Sequence, residues 1–165
     1  SNTFWTRWFD DEKFRKGFFK NIASGAKIRL LIYDPNSEIL ELRSKDENDP
    51  KSNGKSQMQN EIVSTLNKIG NELDHPEFRP RDLKTLAVRL SNRSYHLAQI
   101  IWADNEILVS NYLSGKSGSP CPTFQVIEPS EYFSLYREQI EILWNRGRPI
   151  SMDEMKNLTI TREPK

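Results

Sequence analysis

The sequence predicts an α/β domain with a mixed β-sheet flanked by helices on both faces. Three observations lead there. Apolar stripes of helical period alternate with short runs rich in β-branched residues. An Asp-Asn corner joins two such runs late in the chain, as a hairpin does. The resulting order is helix-strand-helix-helix-strand-strand-strand-strand-helix, which suits a sheet that is parallel early and antiparallel late. A chain of 165 residues is one domain's length and can bury a real core.

The first helix is expected over residues 10–24, because Phe14, Phe18 and Ile22 recur every four residues. Asp10 and Asp11 favour its start and Gly25 its close. Residues 27–34 follow as a strand, and its Leu30-Leu31-Ile32-Tyr33 run suits a central, doubly covered position. Pro35 ends that strand. Asp34 or Ser37 then caps a helix that carries Ile39, Leu40 and Leu42. Residues 45–55 are almost wholly polar and read as a mobile loop. Met58, Ile62, Leu66, Ile69 and Leu73 make the stripe of a strong helix over 57–73.

Pro76 and Pro80 mark residues 75–80 as a linker. A strand over 83–90 precedes the hairpin of 94–113, whose corner is Asp104-Asn105. A loop at 114–122 leads to a strand at 123–127. The helix over 129–144 then turns Phe133, Tyr136, Ile140, Leu143 and Trp144 inward. Residues 1–149 form the expected domain, and 150–165 read as a peripheral tail.

Composition narrows the function. Lysine and arginine number 24 against 23 acids, a net charge of +1, so no bulk field draws nucleic acid or an anionic membrane. Apolar runs are too short to span a bilayer. The single cysteine, Cys121, lies between two prolines and suits a reducing cytoplasm. His75 has no second ligand at metal spacing, and no cofactor motif is present. Gly115-Lys116-Ser117 lacks both the earlier glycine and the following helix of a nucleotide loop, so Lys116 is left as an anion contact in a loop or as a solvated cation. Trp5, Trp8 and Phe9 either pack on the core or face an upstream segment. The opening Ser1-Asn2-Thr3-Phe4-Trp5 carries no signal-peptide pattern, and the chain reads as a piece of a longer protein.

The hairpin beginning Ser94-Tyr95-His96, with Gln99 in its first strand and Asp104 at its corner, resembles the phospholipase D superfamily. The signature of that superfamily is His-x-Lys-x-x-x-x-Asp on such a hairpin. The stretch from Ser24 to Pro35, Ser-Gly-Ala-Lys-Ile-Arg-Leu-Leu-Ile-Tyr-Asp-Pro, is similar to the strand that opens these domains, and residues 132–144 look like their closing helix. The likeness runs from Phe9 to Pro149. It is strongest to a degenerate group of unknown function found in bacterial regulatory and signalling proteins.

The signature itself is broken in every register. Counting back from Asp104, Gln99 stands at the lysine position and Leu97 at the histidine position. Counting forward from His96 gives Ala98 and Ala103. The family reaction needs a histidine nucleophile and a lysine that stabilises charge on the phosphoryl oxygens. Loss of such an electrostatic group costs on the order of two to four powers of ten in rate. His96 is one residue out of register, which turns a strand side chain to the opposite face unless a bulge re-aims it.

The resemblance therefore implies a catalytically inactive sensory or interaction module of a larger intracellular bacterial protein, with His96, Gln99 and Asp104 as vestiges. Its ligand would be a small anionic or nucleotide-like molecule held by Arg43, Arg89, Gln99, Asp104, Asn111 and Lys116. Active members join two units face to face, so a homodimer is expected. Two alternatives stand beside this: a divergent phosphodiesterase or nuclease, and a plain dimerisation or protein-interaction domain with an exposed apolar patch. Read from the residues alone, Arg89 fits better as a structural cation with a carboxylate partner, and Asp104 is most simply a turn residue.

Overall fold

The computed structural model describes residues 9–52, 54–78, 85–92, 98–111, 113 and 121–161. Helix α1 (Glu12–Ala23) starts at Asp11, whose carboxylate accepts the Phe14 N–H at 2.8 Å. It ends before Gly25, which takes the left-handed φ of 99° that costs glycine little. Strand β1 (Ile28–Tyr33) runs parallel to β4 (Leu86–Ser91), Ile28 facing Leu86 and Tyr33 facing Ser91. The crossover between them holds α2 (Glu38–Asp46), the short ribbon β2 (Lys51–Ser52) and β3 (Lys55–Ser56), and α3 (Gln57–Glu72). Ser37 caps α2, and a Ser56–Gln59 capping box starts α3.

β4 also pairs antiparallel with β8 (Arg148–Ile150), so the order is β1-β4-β8. Among the described strands β4 is thus central and β1 lies at the edge. β1 still has helices over both faces. Leu30, Val88 and Leu90 join Phe19 and Ile22 of α1 and Leu66 and Ile69 of α3 in the main core. On the opposite face, Arg29 and Arg89 reach α4 (Glu131–Arg146). Phe9 is 1% exposed and stacks edge-on against Phe14 and Phe18, so it belongs to this core. Trp5 and Trp8 lie outside the described residues.

A second sheet follows: β5 (Ala98–Ala103), β6 (Glu106–Asn111) and β7 (Thr123–Ile127) form an antiparallel meander. Its own small core comprises Ile107, Val109, Val126 and Phe133, the last from α4. The mixed α/β class holds, but the described strands form two three-stranded sheets and a ribbon rather than one sheet.

Two further expectations are corrected. The polar stretch of 45–55 is anchored, because the buried Asp49 carboxylate accepts the Met58 N–H at 2.8 Å and receives the Ser44 hydroxyl. The expected tail is not peripheral over its described residues, 150–161. Ile150 completes β8, and α5 (Met152–Lys156) packs on α3 with Met155 buried. The Asn67 side-chain amide on α3 donates to the carbonyl of Met155 at 2.6 Å. A Cβ on Gly70 would come within 3.0 Å of the Lys156 backbone nitrogen, which shows how closely the two helices approach.

Candidate functional site

The described residues expected to hold an anion are distributed over α2 and both three-stranded sheets. Arg43 lies on α2 and is 7% exposed. Its Nε donates to Glu47 Oε1 at 2.9 Å, and its guanidinium stands 5.5 Å from the centre of the Tyr33 ring. Both side chains of this i,i+4 pair are almost fully buried. A desolvated guanidinium needs such a partner. Arg43 is thereby part of the first core's wall.

Arg89 sits mid-strand on β4. Its Nη1 donates to the Trp144 carbonyl at 2.7 Å, and its guanidinium lies 4.7 Å from the Trp144 ring centre. Arg29 covers the same indole at 5.4 Å and pairs with Glu141 at 2.9 and 3.1 Å. Two cations thus clamp one aromatic ring, which fixes α4 on the first sheet. Arg89 is thus held inside the fold, by a carbonyl and an indole rather than by the carboxylate expected for a strand arginine.

Gln99, Asp104 and Asn111 belong to the second sheet. Gln99 pairs with Ser110 and Asn111 with Ala98, which puts Gln99 and Asn111 at the same end of the hairpin. Asp104 is at the other end, about 17 Å away along a strand rising about 3.4 Å per residue. It adopts φ 51° and its carbonyl accepts the Trp102 indole N–H at 2.8 Å, so it is a turn residue. The Gln99 Nε2 atom is buried and has no hydrogen-bond partner among the described residues. His96 and Lys116 lie outside the described residues. The described candidates therefore divide into two wall residues of the first lobe and a hairpin whose marked positions point to opposite ends.

A cleft of about 450 Å³ opens between α3 and the β2–β3 ribbon, a feature that no sequence motif marked. Two pairs of its polar lining engage each other: Lys68 with Asp10 at 2.6 Å, and Gln57, which donates to Glu61 at 2.7 Å. The titration shifts found sit in surface pairs of the same lobe. A hydrogen bond from Lys16 lowers Glu12 and raises Lys16 in turn; the Ser151 N–H lowers Glu154; Asp74 raises Lys156. No cluster of potential metal ligands occurs among the described residues, and none of their helices is long and apolar enough to cross a membrane.

No family model, curated protein or solved structure matches the chain.

The second lobe carries a feature that the candidate residues did not mark. Large apolar side chains that are exposed among the described residues are Trp102, Leu108, Leu113, Phe124, Ile127, Tyr132, Leu135 and Ile142, with Leu42 alone in the first lobe. Leu108 and Ile127 occupy the meander face away from α4, alongside half-buried Ile101. Tyr132, Leu135 and Ile142 follow one another at spacings of three and seven, a single stripe on the outer surface of α4. In sequence this was visible only as a helix apolar on more than its inward face.

Proposed function

We propose that this chain is a non-catalytic interaction module on a phospholipase D-like scaffold, part of a bacterial regulatory protein, that works through the β5–β7 and α4 lobe. The observation that carries this reading is the concentration of exposed apolar side chains in that lobe. Scattered apolar residues need no explanation, but a grouped set on one lobe marks a contact surface. Two of the cations that would hold a phosphate are engaged elsewhere, Arg43 by Glu47 and Arg89 by Trp144. The broken motif supports the absence of chemistry. Gln99 offers a neutral donor where the reaction needs a cation, and His96 is out of register for the covalent step.

Site-specific photo-crosslinking tests this. A benzophenone side chain placed at Leu108 or Leu135 is expected to capture a partner chain, and one placed at Leu42 is not. Equal capture at all three positions, or none at any, rejects the lobe as the working surface. Hydrolysis of bis-p-nitrophenyl phosphate that disappears in His96→Ala rejects the non-catalytic reading in favour of the phosphodiesterase.

One observation favours a second reading, a small anionic ligand beside Gln99. A buried amide donor without an acceptor costs about 1–3 kcal/mol, so such groups commonly face something that accepts. Inorganic phosphate or a nucleotide should then raise the melting temperature of the native protein and leave Gln99→Met unmoved. If Gln99→Met is simply more stable and phosphate moves neither protein, this reading fails.

A further inference from the structure

We infer that β7 pairs antiparallel with β7 of a second copy of this chain about a two-fold axis at Gln125, fusing two meanders into one six-stranded sheet. The inference rests on the reading of the second lobe as an interaction surface and names its partner and register.

β7 is an edge strand with β6 as its one partner among the described strands. Thr123, Phe124, Gln125 and Ile127 are all exposed, Phe124 at 42% and Ile127 at 51%. Which backbone groups point outward can be deduced. The Glu128 N–H donates to the Asn105 carbonyl at 3.0 Å, one step beyond the Glu106–Ile127 pair. In an antiparallel ladder each residue directs its N–H and C=O to the same side, and successive residues alternate. Val126 and Phe124 therefore bond toward β6, while Thr123, Gln125 and Ile127 present their amides and carbonyls outward. A side-chain contact gives the same parity. The Ser110 and Thr123 hydroxyls lie 2.6 Å apart, as suits a non-hydrogen-bonded pair, where side chains approach more closely.

Natural edges are blunted by lysine, proline, a bulge or an inward charge. The β7 sequence Thr-Phe-Gln-Val-Ile has none of these within it. Pro122 and Pro129 bracket the strand and limit the pairing to its own five residues. This favours one closed pair over an open-ended assembly.

Self-pairing satisfies every outward group at once. With the axis at Gln125, Thr123 faces Ile127 of the second copy and Gln125 faces its own counterpart, giving about six hydrogen bonds. Phe124 then lies beside Val126 of the second copy, an aromatic and β-branched pair that covers the exposed ring. The two Glu128 carboxylates fall at opposite ends of the ladder, about 20 Å apart at about 3.4 Å per residue, so no like charges meet. A strand pair this short falls below the ~1,200 Å² of a stable interface. Val126 packs on Phe133 of α4, so the seam lies beside the small core of each copy and adds no large apolar area to the strand pair. The dimer is accordingly reversible.

Sedimentation velocity of the full chain from low micromolar to near-millimolar concentration tests this. The native protein should shift from monomer to dimer. Gln125→Lys sets two cations face to face and should stay monomeric with an unchanged circular dichroism spectrum and melting temperature. Gln125→Cys should form a disulfide across the axis under mild oxidation, and Leu42→Cys should not. A native chain that is monomeric throughout, or a dimer that Gln125→Lys leaves intact, overturns the inference. Capture of a different protein at Leu108 or Leu135 by a monomeric chain would leave the lobe reading standing while removing this one; no capture at either would remove both.

Discussion

The first lobe is built around an extensive core contributed by α1, α2, α3, both long strands and the C-terminal segment, whereas the meander closes over Ile107, Val109, Val126 and Phe133. Nearly all the large exposed apolar side chains sit on the smaller of the two. On the proposed reading the two lobes divide the labour, a deep core holding the scaffold and a thin lobe leaving apolar surface for a partner. The difference also implies unequal stability, since regions with few buried contacts open first.

Phe19→Ala should cost about 3–5 kcal/mol in urea denaturation, because a fully buried ring leaves a cavity in the first lobe. Ile107→Ala should cost nearer 2 kcal/mol, at the low end for such truncations, because a thin core can collapse around the gap. Hydrogen exchange should then rise across 98–127 and stay unchanged in β1. Faster exchange in both sheets would mean the two lobes are one cooperative unit.

Arg89→Met tests the joint between them. Loss of its hydrogen bond to Trp144 and of its stacking on the indole should cost about 1–2 kcal/mol and split the melting curve into two steps. Gly70→Ala should cost about 1 kcal/mol, the clash with α5 outweighing the helix propensity gained. Its effect should remain within the first lobe.

The smallest effect concerns pH. The Ser151 N–H and the Arg148 guanidinium hold the Glu154 carboxyl below its ordinary range. A depressed folded pKa adds stability that is present above the ordinary value of 4.5 and is lost as pH falls through the folded value. Glu154→Gln should therefore lower the melting temperature slightly at neutral pH and flatten the acid limb, the two proteins converging once the pH is below the folded value.

Helix starts were readable where side-chain caps have a fixed offset: Asp11 before Phe14, Ser37 before Leu40. The hairpin was readable because β-branched runs flank Asp104-Asn105. The anchoring of residues 45–55 was not, since Asp49 bonds a backbone N–H and such contacts have no sequence period. β8 and α5 were missed because three residues with a proline, and five residues of helix, are too short to show periodicity. Division into two sheets depends on which strands pair, which alternation alone cannot specify. The place of Arg43 had one available signal, Glu47 a helical turn later. The exposure of Leu108 and Ile127 had none, because alternation in a meander does not say which face is covered.

The meander departs from β4 and returns through α4 into β8, and Leu90 lies directly opposite Arg148. The lobe thus hangs from two neighbouring strands at the same end. Tension applied there would unzip that ladder bond by bond rather than shear it all together, a geometry of low mechanical resistance. The clasp of Arg29 and Arg89 on Trp144 is then the catch that must slip before β8 peels away.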